Sequence, residues 1–111
     1  METYELNGVL YQLHYSIGRL EQIEQKTGAS ALSMLVNMGK SILPPISVLK
    51  QYFAYGLMND QGVYAPLLDA EQFALRQMET IGVPGVMERI MNQLQTDCGF
   101  LFRSTSSDST I

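Results

Sequence analysis

Apolar side chains recur at every second position through Tyr4 and Leu6 and again through Val9, Tyr11 and Leu13, with Asn7-Gly8 between the two runs. A two-residue type I′ turn demands positive φ at both central positions, and Asn and Gly tolerate it, so this segment predicts a β-hairpin. The turn sets the register. Leu6 faces Val9, Glu5 faces Leu10, Tyr4 faces Tyr11 and Thr3 faces Gln12, which puts Tyr4, Leu6, Val9, Tyr11 and Leu13 on one face and Glu5, Gln12 and His14 on the other. A lone hairpin is marginal in water, so the aromatic-aliphatic face must pack on helices later in the chain.

Beyond Tyr15 the spacing changes to three and four, and five helices are predicted. Ser16 caps the first, whose stripe is Ile17, Leu20 and Ile23, with Arg19, Glu21, Gln22, Glu24 and Gln25 polar and Gly28 at its end. Ser30 opens the second, in which six of the eight residues 31–38 are apolar, and Gly39 and then Pro44-Pro45 stop it. Ser47 caps a third with Val48, Leu49, Tyr52, Phe53 and Leu57 on its stripe and Lys50 and Gln51 outside. A loop over Asn59-Asp60-Gln61-Gly62 is closed by Pro66. Asp69 with Gln72 then resembles a capping box for a fourth helix through Phe73, Leu75, Met78 and Ile81, ended by Gly82. Pro84 suits the first turn of a fifth, with Val83, Met87, Ile90, Met91, Leu94 and Cys98 on its stripe. The expected fold is therefore mainly α (α+β): an N-terminal β-hairpin followed by a compact bundle of about five helices, forming one domain over residues 1–102. The Ser/Thr-rich segment 103–111 has almost nothing to bury and is expected to be a disordered tail.

Composition narrows the function classes. With seven basic against eleven acidic residues the net charge is −4, the wrong sign for gripping duplex nucleic acid, where phosphate neutralisation supplies much of the affinity. Only 16% of the 111 residues are charged, against roughly 25% in a typical soluble domain. Gly, Pro, Asn and Gln interrupt the apolar residues before they reach the ~18 that a membrane span needs. A single cysteine excludes an internal disulfide framework, and the acidic start lacks the basic, apolar pattern of a secretory signal, so a reducing, cytoplasmic setting is expected.

Candidate chemistry is sparse. His14 is the sole histidine and no carboxylate is placed by sequence to orient it, so it reads as a strand histidine. Cys98 falls on an apolar stripe and reads as a packing residue. Glu21 and Glu24 lack the Glu-x-x-His partner of a di-metal bundle. Gly82-Val83-Pro84-Gly85 follows a helix and has no P-loop Lys, and Asp60-Gln61-Gly62 is too short of oxygen ligands for calcium. No catalytic residue, metal or cofactor is expected. What remains is surface: Met34/Met38 and Met87/Met91 at i,i+4 spacing, the near-continuous apolarity around Leu35, and Phe100-Leu101-Phe102. Methionine-rich faces adapt to varied apolar partners, so Met34, Leu35, Met38, Met87, Met91, Phe100 and Phe102 are the candidate partner-binding residues.

The hairpin ending in Leu13, then Ile17-x-x-Leu20-Glu21-x-x-Glu24-x-x-Thr27-Gly28, Tyr55-Gly56-Leu57, Asp69-x-Glu71 and Gly82, resembles the tail assembly chaperones of long-tailed phages and gene-transfer agents. The likeness runs over roughly residues 4 to 97. It implies a small helical protein of the host cytoplasm, without enzymatic activity. Such a protein binds the long, aggregation-prone tape measure protein and keeps it soluble while tail-tube subunits polymerise. Self-association, contact with the tail-tube protein and a frameshifted longer form are further implications. The apolar faces would shield the client's stripe in helix-in-groove fashion. Two other classes compete: a structural tail or head-tail connector protein retained in the particle, and a helical transcriptional regulator. The regulator's best recognition helix, residues 83–97, offers only Arg89 as a base.

Overall fold

The computed structural model describes residues 2–102; the tail expected over 103–111 lies outside the described residues. Strands β1 (Tyr4–Leu6) and β2 (Val9–Leu13) pair antiparallel in the predicted register, Tyr4 with Tyr11, Glu5 with Leu10 and Leu6 with Val9. Asn7 and Gly8 take φ of 53° and 81°, the left-handed values that the turn requires. Tyr4, Leu6, Tyr11 and Leu13 are buried, but Val9, expected on the same packed face, is 40% exposed although Leu6 opposite it is covered.

The sheet has a third strand that periodicity concealed. Strand β3 (Leu57–Asn59) pairs antiparallel with β2, Leu13 with Leu57 and Tyr11 with Asn59, giving the order β1-β2-β3. The reading that carried Leu57 on a helical stripe is thus corrected: helix ends at Gly56, and Leu57 is already extended at φ −71°, ψ 112°. Leu57 is buried in either conformation, so its four-residue spacing from Phe53 hid the switch. Gly56 permits it. A Cβ there would lie 2.8 Å from the Tyr15 hydroxyl oxygen, and Tyr15 is fully enclosed. Beyond β3 the Asn59 side chain accepts from the backbone of Gln61 and Val63, both at 2.9 Å, folding the chain back on itself.

Five helices follow or flank the sheet: α1 (Ile17–Thr27), α2 (Ala31–Gly39), α3 (Ile46–Gly56), α4 (Leu67–Ile81) and α5 (Val83–Asp97), with a 3₁₀ turn over Gly99–Leu101. Ser16 and Ser30 cap α1 and α2 by accepting from Arg19 and Ser33 backbone N–H at 3.1 and 3.2 Å, and Gly28 closes α1 in the left-handed region. The other two expected caps are displaced. Helix α3 begins at Ile46 and α4 at Leu67, each entered from a proline, Pro45 and Pro66, with no side-chain cap. Ser47 therefore falls inside α3, and Asp69 in the first turn of α4, where its charge still favours the helix dipole.

Helix α3 is the central element. It packs on α1, α4, α5 and β2, and buries Val48, Leu49, Tyr52, Phe53, Ala54 and Gly56. Gln51, placed outside by its polarity, is also buried, and its Nε2 donates to Glu71 Oε2 of α4 at 2.7 Å. Phe53 meets Tyr4 edge-on at 5.1 Å between ring centroids, and Phe73 of α4 lies beside both, so one aromatic cluster joins sheet and helices. On α5 the fully buried line is Val86, Ile90, Leu94 and, just past the helix, Cys98, whereas Val83, Met87 and Met91 of the expected stripe are half-buried beside it. Ile17 and Leu75, read as stripe residues of α1 and α4, are 70% and 42% exposed. Among the described residues, no helix is long and apolar enough to cross a membrane.

Candidate functional site

Helix α2 is anchored by one end and one face. Besides the Ser30 cap, the Glu24 carboxylate accepts from the Ala31 backbone N–H at 2.7 Å, satisfying another unpaired donor of the first turn. Only Ala31 and Met34 are buried, and Leu35 and Met38 pack half-buried at the margin of the core. The opposite side carries Leu32 and Val36, one turn apart and 54% and 50% exposed. The chain then leaves α2 through Lys40 and through Ser41, held at φ 64°. It presents Ile42, Leu43 and Ile46, each more than half exposed, on either side of the rigid Pro44-Pro45 pair. Met34, Asn37, Leu43 and Val48 are among the walls of a cleft of about 240 Å³ between α2 and the start of α3.

The seven residues singled out from the sequence do not form one surface. Met34 belongs to the core, 5% exposed, which corrects its assignment as a contact residue: at i,i+3 from Ala31 it lies on the anchored face. Leu35 and Met38 are partly accessible at the patch margin. Met87 and Met91 are half-buried on α5 and line neither cleft beside α2. Phe100 and Phe102 are 40% and 41% exposed, while Leu101 between them packs on the core. Phe100 shares a second cleft, of about 550 Å³, with Ile17, Leu20, Glu21, Glu24 and Ala31, so the 3₁₀ turn and the first turn of α2 border the same hollow.

Periodicity missed the residues that dominate the patch, Leu32, Val36, Ile42, Leu43 and Ile46. A different signal marks them: residues 25–59 contain no Asp or Glu. Nowhere else does the chain go as long without a carboxylate.

Several titratable groups are engaged in contacts that join elements of the fold. Asp97 accepts from the Tyr15 backbone N–H at 3.0 Å and from Gln93 Nε2 at 2.9 Å, and lies 3.5 Å from His14 Nδ1, fastening the end of β2 to the end of α5. The Ser16 hydroxyl near His14 in sequence is occupied as the α1 cap. Burial pushes the Cys98 thiol above its ordinary pKa, away from thiolate. Burial likewise holds the Tyr15 phenol well above its ordinary value and pushes Tyr52 up to about 12, so both stay neutral. A hollow of about 370 Å³ beside Tyr4 and Leu13 is also lined by Arg89, whose guanidinium donates to the Tyr4 hydroxyl at 3.0 Å and sits 3.4 Å from Glu2. Among the described residues, no group of three or more His, Cys, Asp or Glu side chains is placed to hold a metal ion.

In comparisons with known proteins, the chain matches no family model, no curated protein and no solved structure.

Proposed function

We propose that this protein is a phage tail assembly chaperone, which binds the tape measure protein in the host cytoplasm and keeps it soluble during tail-tube assembly, with neither catalysis nor a cofactor. The observation that supports this reading most is the apolar patch of α2 and its connection to α3: five large aliphatic side chains within fifteen residues, each half-exposed or more. Isolated apolar residues are ordinary on a surface, but a contiguous group suits a partner. Leu32 and Val36 supply the one-turn spacing that an apolar helix stripe can lie against, and Ile42 and Leu43 line the cleft between α2 and α3, which offers room for side chains. Self-association and contact with the tail-tube protein belong to the same reading.

The test is co-expression with the tape measure protein. Replacing Leu32, Val36, Ile42 and Leu43 by serine should leave the circular dichroism spectrum unchanged and the melting cooperative while moving the tape measure into the insoluble fraction. Unchanged tape measure solubility would refute the reading. The protein should also be missing from purified virions, and its retention there would favour a connector instead.

A further inference from the structure

Resting on the reading of α2 and its connection as a partner surface, we infer that the occupant is an amphipathic helix whose apolar stripe is flanked by acidic residues. The charge distribution carries this. The chain has eleven carboxylate side chains and net charge −4, yet residues 25–59 hold none of the eleven and three of its seven basic residues, Lys26, Lys40 and Lys50. Each stands beside the α2–α3 connection, in sequence or across a shared hollow. Lys40 follows the last turn of α2, two residues before Ile42. Lys50 stands four residues beyond Ile46 on α3 and so shares its side of the helix. Lys26 borders a small hollow with Ser47 and Val48, immediately after Ile46 in the chain.

Among the described residues, the ion pairs are His14 with Asp97 and Arg89 with Glu2, so none of the three lysines has a carboxylate within 4.0 Å. Apart from Glu24, which is engaged at the first turn of α2, and Glu21 in the neighbouring cleft, an acidic protein thus supplies lysines and no carboxylate from the segment that carries its apolar patch. A helix with glutamates beside its stripe would meet opposite charge at these lysines while the leucines cover the patch, whereas lysines in those positions would meet like charge. A second copy docked by two-fold symmetry would set the same patch and lysines against themselves. An anionic bilayer would attract the lysines but repel the rest of the chain, which is more acidic than the average.

The measurement uses the whole protein and two fluorescent peptides of ~18 residues with one leucine stripe, flanked either by glutamates or by lysines. Anisotropy should show the glutamate peptide binding roughly tenfold tighter at low salt, with the gap closing as salt rises. The triple variant K26E/K40E/K50E should invert the preference, and Leu32→Ser with Val36→Ser should weaken the glutamate peptide's binding. Equal binding, or preference for the lysine peptide, overturns the inference. So does sedimentation of the protein with phosphatidylcholine vesicles containing about 30% phosphatidylserine when neither peptide binds, or a patch-dependent dimer that excludes both peptides. Binding of the glutamate peptide together with tape measure solubility indifferent to the patch would leave this inference standing and remove the chaperone reading alone.

Discussion

Helices α2 and α3 are neighbours in sequence, nine and eleven residues long and both predominantly apolar, yet α3 is enclosed and α2 is laid open. The difference lies in what each brings to its neighbours. Helix α3 supplies aromatic bulk on one side, Tyr52 and Phe53, and small residues, Ala54 and Gly56, where other elements come close. Helix α2 has aliphatic residues nearly all round but is held through Ala31, Met34 and its first-turn hydrogen bonds. A domain of this size has one centre, and once α3 occupies it, a second apolar helix must leave part of its surface to solvent or to a partner. Apolarity is therefore a poor guide to depth. What separates the two helices is whether their apolar residues have facing groups in the same chain.

That contrast can be broken at its strongest point first. Phe53→Ala removes a fully buried ring from the contact with Tyr4 and Phe73, and should cost about 3–5 kcal/mol in urea unfolding. A loss below ~1 kcal/mol would mean that α3 is not the centre. An intermediate effect is expected from alkali. Free phenols ionise near 10.0, but Tyr15 and Tyr52 stay protonated in the folded chain well beyond that, Tyr52 up to about 12. Above about pH 10 the unfolded chain then binds fewer protons than the native one, so stability falls as pH rises toward 12 and is insensitive to these groups below pH 10. Among the described residues the Tyr52 hydroxyl has no hydrogen-bond partner, so Tyr52→Phe should shallow the alkaline slope with little cost at neutral pH; an unchanged slope would remove Tyr52 as its source. The smallest effect belongs to α2. Leu32→Ser and Val36→Ser should each shift stability by no more than about 0.5 kcal/mol. Losses of core size would show that this face is covered after all.

Where local chemistry decides structure, the residues announced it. Asn7-Gly8 specified the hairpin and its register, and Ser16, Gly28 and Ser30 marked helix ends because each meets a backbone demand within a few residues. The sequence was opaque where the answer depends on distant partners. Leu57-Met58-Asn59 becomes a strand because β2 offers an open edge, which helical spacing from Phe53 could not reveal. Gln51 is inside because Glu71, twenty residues on, receives its amide. Met34 and Met38 look equivalent at i,i+4, but only Met34 lies against the core. The patch itself was half legible: its helix stood out for apolarity, while Ile42, Leu43 and Ile46 lay in a connection where periodicity has no meaning. Of the other candidates, Met87 and Met91 lie half-buried on α5 and only Phe100 adjoins a cleft that reaches α2.

Tyr15 gives the molecule a particular order of events. Its hydroxyl closes on the Tyr52 carbonyl at 2.7 Å, its ring fills the space left by Gly56, and its backbone N–H is held by Asp97, 82 positions away. On a translating ribosome Asp97, one of the groups that hold Tyr15, is thus among the last of the described residues to emerge. The hairpin is synthesised early and can meet Tyr52, Phe53 and β3 midway through synthesis, but its tie to Asp97 closes only once α5 has been made.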